Sequence, residues 1–381
     1  MTSFGYADTS RRQTVLVYAP VQPVEVACGI SSAVRAVVGS SLRDHYDIDL
    51  ISTFRAQSNR TLPGRIAFGL WLTVKTAVRM IHSDAVLADI HAVSDRSLLS
   101  HAAIMFGARL AGRPAILRIH GGDFDRVFEK ASGLHRLLIR FILRSATRVV
   151  LLSDSWRARV KAIEPRAVLD VIPNGVDCSL FEPSAQRPPR QCKTILFLAN
   201  FCERKGHFEA LAAIARLARH YPQAVLRLGG EDRDPGTRKL LEQEAARLGI
   251  SHAVQFLGIV SGDTKLQALR DADVLILPSH TENMPVSIIE GMAAALPVVA
   301  TAVGAVPEMI KDGQTGFVVR PRDANALAER LEQLFREPEL ARSLGRNGQS
   351  HARATWDSGV IATRTLALYE LLCDRRSPAT V

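Results

Sequence analysis

The stretch that decides the fold is residues 278–310, which read PSHTENMPVSIIEGMAAALPVVATAVGAVPEMI. A predicted strand, Asp273–Leu277, ends just before it, and a loop then leads into a predicted helix. Proline suits the first position of a helix, so we expect this helix to begin near Pro285. The stretch therefore predicts one strand, loop and helix of an α/β protein with a parallel sheet.

Two glutamates bracket the start of that helix. Glu282 precedes it, and Glu290 lies between one and two turns inside it. The unpaired N–H groups and the positive dipole end of a helix N-terminus attract a phosphate, while carboxylates accept hydrogen bonds from hydroxyl groups. The pattern indicates a ligand with a phosphate in the middle and hydroxyl-rich rings on either side, such as a nucleotide sugar.

Strand-like runs alternate with helical stretches on both sides of a proline-rich linker, Glu182–Cys192. We therefore predict two Rossmann-like domains that face a cleft, residues 1–182 and 193–350, and a C-terminal helix and tail, 351–381, that packs back toward the first domain. The predicted strands are Thr14–Ala19, Tyr46–Thr53, Asp84–Asp89, Pro114–Ile119, Thr147–Leu152, Val168–Ile172, Thr194–Ala199, Gln223–Leu228, Val254–Leu257, Asp273–Leu277, Pro297–Ala300 and Gly316–Val319.

Basic residues are unevenly distributed along the 381-residue chain. Lys and Arg total 48 against 38 Asp and Glu, and residues 1–180 carry +8 of the net +10. This surplus favours an anionic partner, which is a phosphate-bearing substrate, a membrane surface or a nucleic acid. Five cysteines without metal-ligand spacing predict reduced thiols in a cytoplasmic protein. No apolar run approaches the roughly 20 residues that span a bilayer, so we expect a soluble or membrane-peripheral protein.

The block 278–310 resembles glycosyltransferase family 4, whose pattern is a strand, then S-x-x-E-x7-E, then A-x-G-x-P-V-V-A-T, then G-x-x-E. The resemblance implies a GT-B fold and retaining transfer of a sugar from a nucleotide sugar to a saccharide or lipid-linked saccharide, with no nucleic-acid partner. It implies that Glu290 holds the ribose hydroxyls and that Glu282 contacts hydroxyls of the transferred sugar. It also implies that the backbone of Asn283, Met284 and Pro285 lies near the sugar and phosphates.

The chain departs from the family pattern at two positions in this block. Leu296 is interpreted as standing where the family usually carries Gly, and Ala305 replaces the second residue of a common Gly-Gly. We expect both to be tolerable changes in packing.

The loop Ala199–His207, ANFCERKGH, follows the first strand of the predicted second domain. There Lys205 would place a compact positive charge on a pyrophosphate and stabilise it as a leaving group. The family commonly writes G-R-L-x-x-x-K-G, and Asn200 stands where the family has Arg. Arg204 is a second source of positive charge, although the sequence also fits a solvated arginine. Gly258 and Val260 fall in a loop where the family places the nucleobase and ribose.

The first domain contributes a histidine at the carboxyl end of a strand, in Ile119-His120-Gly121-Gly122-Asp123. By the resemblance, His120 hydrogen-bonds the transferred sugar near its reacting carbon, positioning it and stabilising charge; the alternative is a histidine of the core. Asp123 either binds sugar or acceptor hydroxyls or caps the next helix. Gly29 either lets the backbone approach the ligand or is an ordinary turn glycine.

Residues 171–177, VIPNGVD, match a signature that the family carries just before its interdomain linker. The Asn174-Gly175 pair in this segment predicts a turn. Three D-x-D triplets occur, at residues 123–125, 232–234 and 271–273, but none has the sequence context of the metal-dependent glycosyltransferase fold. We therefore expect no required metal and no cofactor beyond the nucleotide sugar.

Two other functions stay open at this point. One is a nucleotide-sugar epimerase on the same fold, which would need no acceptor. The other is a non-catalytic basic protein that binds membranes, and it is favoured by residues 133–146, GLHRLLIRFILRSA, where Arg136, Arg140 and Arg144 form one helical stripe. Such a helix lies on an anionic bilayer or packs on a sheet with its arginines in water. Arg60, Arg65, Lys75 and Arg79 frame a second apolar stretch.

Overall fold

The computed structural model of the protein describes residues 12–21, 29–53, 62–92, 98–181 and 193–374. The linker Glu182–Cys192, Cys28 and Arg60 lie outside these ranges, and so does the side chain of Arg65. The cysteines within the ranges, Cys178, Cys202 and Cys373, are free thiols.

Each half of the chain forms its own six-stranded parallel sheet. The strands in the middle of each sheet are mostly buried on both faces, as their continuous apolar runs require in a sheet covered by helices on each side. The strands of the first sheet are β1 Thr14–Ala19, β2 Asp47–Ser52, β3 Ala85–Ala92, β4 Ala115–Ile119, β5 Arg148–Leu151 and β6 Leu169–Val171. Those of the second are β7 Lys193–Leu198, β8 Ala224–Gly229, β9 Val254–Gly258, β10 Val274–Leu277, β11 Val298–Thr301 and β12 Phe317–Val319.

Helices cover both faces of each sheet. Those of the first half are α1 Gly29–Val38, α2 Leu42–His45, α3 Leu62–His82, α4 Leu98–Leu110, α5 Phe124–Lys130, α6 Gly133–Ser145 and α7 Trp156–Ile163. Those of the second half are α8 His207–Leu217, α9 Thr237–Arg247, α10 Gly262–Asp271, α11 Val286–Ala293, α12 Val306–Met309, α13 Ala324–Arg336, α14 Pro338–Trp356 and α15 Ser358–Asp374.

The order of the strands fixes where ligands bind. The first sheet runs β2-β1-β3-β4-β5-β6, and the second runs β12-β11-β10-β7-β8-β9. Chain direction across the sheet reverses between β1 and β3 in the first and between β7 and β10 in the second. In open parallel sheets ligands bind beyond the carboxyl ends of the strands at such reversals. The loops after β7 and β10 are the ones that carry Lys205 and Glu282.

The C-terminal helix α15 returns to the first sheet, as predicted, through a buried polar cluster. Arg118 on β4 donates to both carboxylate oxygens of Asp89 on β3, at 3.0 and 2.8 Å. The Tyr369 hydroxyl of α15 donates to Asp89 Oδ2 at 2.7 Å, and Arg118 also reaches Thr365 at 3.4 Å. All four residues are buried. A buried carboxylate with this many partners is stable only while each partner stays in place.

The predicted strands match the observed ones within one residue at each end, except for the third. The sequence predicts that this strand ends at Asp89, but it continues to Ala92. Asp89 and His91 interrupt its apolar pattern because they are buried polar residues with partners inside the protein. The polar interruption therefore hides the true end of the strand.

The predicted single C-terminal helix, placed from residue 351 onward, is wrong in detail. Asp357 separates α14 from α15, so residue 351 lies inside α14. The predicted turn at Asn174-Gly175 is also wrong, because neither residue lies in a turn or bend. The Asn174 side chain instead donates to the Met284 carbonyl at 3.0 Å, which joins the two halves of the chain.

Two smaller corrections concern α11 and the loop that follows it. Pro285 is the N-cap of α11 and not its first helical residue. The backbone that favours glycine is at Ala295, whose φ is +56°, and not at Leu296. A residue with a Cβ costs about 1–2 kcal/mol in this left-handed region. Ala305 has an ordinary φ of −82°, so the change from Gly is tolerated there.

The Asp89 cluster predicts how strongly α15 is anchored. Tyr369→Phe removes a hydrogen bond to a buried carboxylate, so we expect the free energy of unfolding to fall by about 1.5–3 kcal/mol. Urea denaturation followed by circular dichroism measures it. Tyr221→Phe in the second half is the control. An unchanged midpoint for Tyr369→Phe would show that the cluster does not anchor α15.

Candidate active site

The centre of the site is the backbone of Glu282 and Asn283, which lies between two glycines. A Cβ on Gly122, in the loop after β4, would come within 2.7 Å of the Glu282 carbonyl carbon. A Cβ on Gly304, in the loop after β11, would come within 2.3 Å of the Glu282 oxygen. Asn283 donates its side-chain amide to the Ile119 carbonyl at 3.1 Å. The loops of the two sheets thus touch through backbone, with no room for side chains.

Glu282 is held by a lysine and a serine. Its Oε1 accepts from Lys205 Nζ at 2.5 Å and from Ser279 Oγ at 2.7 Å. Both charged side chains are mostly buried, 19% exposed for Lys205 and 10% for Glu282. The structure therefore brings together two of the residues that the sequence singled out from different loops, and it orients the Glu282 carboxylate before any ligand binds.

The loop that carries Lys205 is fixed by close backbone contacts. Gly206 has φ +74°, and a Cβ there would fall 2.0 Å from the Pro278 carbonyl oxygen. His280 N–H donates to the Arg204 carbonyl at 2.8 Å. These contacts join the loops after β7 and β10 into one unit. The position of Lys205 relative to Glu282 thus depends on a glycine at residue 206.

Asn200 has a structural contact where the family usually places an arginine. Its Oδ1 accepts from the Glu231 N–H at 3.2 Å. Gly230 packs directly against the backbone before Asn200, since a Cβ on Gly230 would lie 2.0 Å from the Ala199 carbonyl oxygen. Asn200 therefore links the loops after β7 and β8 and brings no positive charge to the site.

Glu290 lies on the first turns of α11 and is 4% exposed. Its Oε1 accepts from Lys265 Nζ of α10 at 2.5 Å. The loop Gly258–Val260 leads into α10, which is capped by reciprocal hydrogen bonds between Ser261 and Thr264. The sequence does not predict Lys265, because no local motif connects residues 25 positions apart on different helices. A buried carboxylate needs a positively charged partner. From the sequence, that need predicts that Glu290 has such a partner but does not say which residue it is.

His120 is stacked against a second histidine, His91, near the end of β3. The two rings are 5.1 Å apart, and His120 Nε2 lies 2.9 Å from His91 Nδ1. His91 Nε2 lies 3.8 Å from Asp89 Oδ1, too far for a hydrogen bond. His120 Nδ1 is buried and has no hydrogen-bond partner among the described residues, so it is the ring nitrogen that remains for a ligand.

Both imidazoles of this pair are neutral at pH 7. Burial, with His91 and Arg118 nearby, holds the pKa of His120 well below its ordinary value. Burial and Arg118 do the same to the pKa of His91. A neutral ring accepts a hydrogen bond but carries no positive charge. The geometry therefore supports a positioning role for His120 and gives no support to a charge-stabilising one.

Asp123 and Arg204 meet across the cleft. Asp123 Oδ2 accepts from Arg204 at 3.1 Å, and its Oδ1 accepts from the Thr281 hydroxyl at 3.1 Å. Asp123 is at the N-cap position of α5, but its side chain makes no capping hydrogen bond. Of the two alternatives for Asp123, capping of the helix is therefore wrong, and so is the alternative that Arg204 is only solvated. The pair bridges the two halves of the chain.

Two helix N-termini converge beside this bridge. Gly29 is the first residue of α1, and a Cβ on it would lie 3.2 Å from the Val286 side chain at the start of α11. Asn283 Oδ1, next to the start of α11, is buried and has no hydrogen-bond partner among the described residues. Helix N-termini attract anions, and unpartnered buried atoms mark places where a ligand supplies the missing bond.

Gly258 and Val260 shape the far end of the cleft. Gly258 has φ +70°, and its carbonyl accepts from the Gly230 N–H at 2.8 Å. Val260 packs closely on Gly229: a Cβ on Gly229 would lie 2.7 Å from Val260 Cγ2.

Within the described ranges no cluster of three or more His, Cys, Asp or Glu side chains has the arrangement of a metal site.

The site residues that the sequence does not reveal share one property. His91, Lys265 and Thr281 each act through a partner far away in the sequence, so neither spacing nor composition identifies them. His91 alone has a usable signal, since the rule that sites lie at carboxyl ends of strands applies to β3 as well. The predicted strand stops two residues before His91 and so does not expose it.

Two parallel sheets that face a cleft lined by carboxylates, lysines and a histidine define the class of GT-B glycosyltransferases. A family model for "Glycosyl transferases group 1" matches residues 181–351, and one for "Glycosyl transferase 4-like domain" matches residues 23–175. The chain therefore belongs to the group 1 glycosyltransferases, which confirms the predicted family and fold.

Several relatives are similar to this chain in sequence. Glycogen synthase of Mycobacterium tuberculosis is 27% identical over 71% of this chain and 66% of its own length. D-inositol 3-phosphate glycosyltransferase of Corynebacterium urealyticum is 30% identical over 58% of this chain and 53% of its own. The chain thus matches between about half and two thirds of these relatives.

Two solved structures share the fold over nearly the whole chain. Sucrose-phosphate synthase from Thermosynechococcus elongatus has a TM-score of 0.79 at 22% identity, covering 96% of this chain and 100% of that one. The Anabaena protein HepE, solved with UDP-glucose, has a TM-score of 0.74 at 18% identity, covering 94% and 100%.

His207, at the end of the loop that carries Lys205, makes the stability of the protein depend measurably on pH. Burial lowers its pKa to about 4, so the unfolded chain takes up this proton first as the pH falls below about 6.5. Stability is therefore lost between about pH 6.5 and pH 4, by up to about 3 kcal/mol. We expect His207→Gln to flatten this loss in urea titrations at several pH values. His252→Gln, on the surface of the same half, should keep the wild-type slope; an unchanged slope for His207→Gln would contradict the assignment.

Proposed function

We propose that the protein is a retaining glycosyltransferase that moves a sugar from a nucleoside-diphosphate sugar to a hydroxyl of a saccharide or lipid-linked saccharide. The observation that carries the proposal is the pair Glu282 and Glu290, a mostly buried and a buried carboxylate that are each held by a lysine. They lie on either side of the N-terminus of α11, where a phosphate is favoured. The family, and the UDP-glucose bound by the Anabaena protein of the same fold, support the choice of a nucleotide sugar.

Each end of the nucleotide sugar has an assigned partner in this proposal. Glu290 binds the ribose hydroxyls, with Lys265 orienting its carboxylate. Gly258 and Val260 border the base and ribose, where backbone rather than side chains makes the contacts. Glu282 binds hydroxyls of the transferred sugar. The backbone of Asn283, Met284 and Pro285 lies against the sugar and the phosphates.

Lys205 acts on the leaving group. Its ammonium has three N–H groups, so binding Glu282 leaves others for the pyrophosphate. As the bond between the sugar carbon and the phosphate oxygen breaks, negative charge grows on that oxygen, and Lys205 stabilises it. Arg204 and the N-termini of α1 and α11 add positive charge nearby, so we propose that transfer requires no metal ion. Asn200 adds none.

Retention follows from attack on the face that the leaving group departs from. The acceptor hydroxyl forms the new carbon–oxygen bond, and its proton passes to the departing phosphate oxygen. We assign Glu282 a binding role and no covalent bond to the sugar; Lys205 and Ser279 hold its Oε1 in place. His120 accepts a hydrogen bond from a hydroxyl of the transferred sugar through Nδ1 and so fixes the reacting carbon. Gly29 lets the backbone at the start of α1 approach the pyrophosphate or acceptor, and Asp123 holds the cleft closed against water.

The basic first half suggests where the acceptor is found. Residues 1–180 carry +8, and no helix of the described ranges is long and apolar enough to cross a bilayer. We propose that the protein works in the cytoplasm at the inner face of the membrane, on an acceptor of bacterial polysaccharide or glycoconjugate biosynthesis. Contact with anionic lipid would bring it to that acceptor.

The reaction is tested with a panel of nucleotide sugars, with and without bacterial lipid extract. Release of nucleoside diphosphate that depends on the acceptor is expected, together with a glycosylated product of unchanged anomeric configuration and no loss of activity in EDTA. A changed nucleotide sugar formed without acceptor would identify an epimerase instead. Binding of a nucleotide sugar without any turnover would identify a non-catalytic protein.

Single variants separate binding from chemistry. Glu290→Ala removes charge-assisted hydrogen bonds to the ribose, so we expect KM for the nucleotide sugar to rise about 10- to 100-fold. Lys205→Met removes charge stabilisation that is strongest in the transition state, so kcat should fall about 100- to 1,000-fold. Glu242→Ala and Lys239→Met, both on the exposed side of α9, are the matched controls. Normal turnover in Glu290→Ala would remove the site assignment.

A further inference from the structure

The outer surface of the first half presents an apolar face that is unusual for a protein without a partner there. On α3 five large apolar side chains point outward at helical spacing, Leu70, Trp71, Val74, Val78 and Ile81, with Trp71 52% exposed. The opposite side of the same helix is packed in the core through Leu72 and Met80. A globular protein rarely leaves so much contiguous apolar surface in water unless something covers it.

The neighbouring helices extend this face. α4 packs between α3 and α6 and exposes Phe106 and Leu110. α6 exposes Leu134, Leu137 and Phe141, and Leu134 is 77% exposed. We call the outer side of α3, α4 and α6 the apolar–basic face. It covers one side of the first sheet, away from α15, which packs on the other side.

The charge on these three helices has a single sign. Their sequences contain seven Lys and Arg residues and no Asp or Glu. The seven are Arg65, Lys75, Arg79, Arg109, Arg136, Arg140 and Arg144. An interface with another protein rarely excludes one sign of charge from three helices, whereas a surface that sits on anionic lipid gains from every basic residue and loses from every acidic one.

The chemistry of individual residues also fits a lipid surface. Lys75 lies over the Trp71 ring, with Nζ 4.6 Å from the ring centroid. Tryptophan favours the boundary between headgroups and acyl chains, and lysine can bury its stem while its ammonium reaches the headgroups. Arg79 and Arg136 contact protein groups, Asp49 and the Phe128 carbonyl. The centre of the face is therefore α3 with Trp71 and Lys75, and not the arginine stripe of α6 that the sequence suggests.

The face lies close to the cleft along the chain. The loop Gly121–Asp123 leads into α5, and α5 leads into α6. The Phe128 ring of α5 lies under Arg140 of α6, with the guanidinium carbon 5.4 Å from the ring centroid. A bilayer against this face would thus be joined to the acceptor side of the cleft through a single short helix.

We propose that the apolar–basic face is the surface by which the protein docks on an anionic lipid bilayer. The face is inserted at the level of the headgroups, and it brings the cleft to an acceptor held in the membrane. The identity of that acceptor rests on the proposed function, whereas docking itself does not. Binding and turnover can therefore fail independently of each other.

Vesicle flotation of the full-length protein tests the docking surface. The probes are vesicles of phosphatidylcholine alone and of phosphatidylcholine mixed with phosphatidylglycerol. We expect flotation with the anionic vesicles, reduced by high salt, and little with the neutral ones. Trp71→Ser with Leu137→Ser should lower partitioning at least about tenfold, because two exposed apolar groups no longer enter the lipid. Lys75→Glu with Arg140→Glu should lower it by a similar factor or more on anionic vesicles alone.

Leu240→Ser with Lys239→Glu, on α9 of the second half, is the matched control and should float as the wild type does. Circular dichroism melting checks that the variants fold, and nucleotide release with a water-soluble acceptor checks that their chemistry is intact. Equal flotation on both kinds of vesicle, or wild-type flotation of both face variants, would overturn the proposal. Light scattering is the remaining arm: a wild-type dimer that Trp71→Ser with Leu137→Ser converts to monomer would overturn it too, by assigning the face to a second copy of the chain.

Discussion

The backbone of Glu282 and Asn283 is the constraint on which the rest of the site depends. Gly122 of the first half contacts it from one side and Gly304 of the second half from the other. Neither glycine has space for a Cβ. Because backbone meets backbone there, the positions of both loops are fixed without help from flexible side chains. The carboxylate of Glu282, Lys205 and the start of α11 all take their places from this contact.

Each of three positively charged side chains in the site has an acidic partner. Lys205 pairs with Glu282, Lys265 with Glu290, and Arg204 with Asp123. Each pair offsets part of the cost of taking its charges out of water and holds its carboxylate in one orientation. A ligand rich in hydroxyls and phosphate can then share partners with these pairs instead of having to order them.

The periodicity of apolar residues is sufficient to predict two parallel sheets, and the predicted strand ends are correct to within one residue except where Asp89 and His91 are buried inside a strand. The rule that ligands bind at the carboxyl ends of strands, together with the resemblance to family 4, predicts that Glu282, Glu290, Lys205 and His120 lie at the cleft. It does not supply Lys265, His91 or the link between Asn174 and Met284, since each depends on a contact between distant parts of the chain. Left-handed backbone at Ala295 is equally hidden, because nothing in an alanine indicates its φ.

The chain passes between the two halves twice, near Val176 and near Asp357. Backbone hydrogen bonds join these two segments. Val176 N–H donates to the Trp356 carbonyl at 3.0 Å, and Ser358 N–H donates to the Val176 carbonyl at 2.8 Å. A single crossing would leave the relative orientation of the halves to one covalent link, whereas two crossings that are hydrogen-bonded to each other restrain it. The same two hydrogen bonds therefore help to keep the switch points of the two sheets facing each other across the cleft.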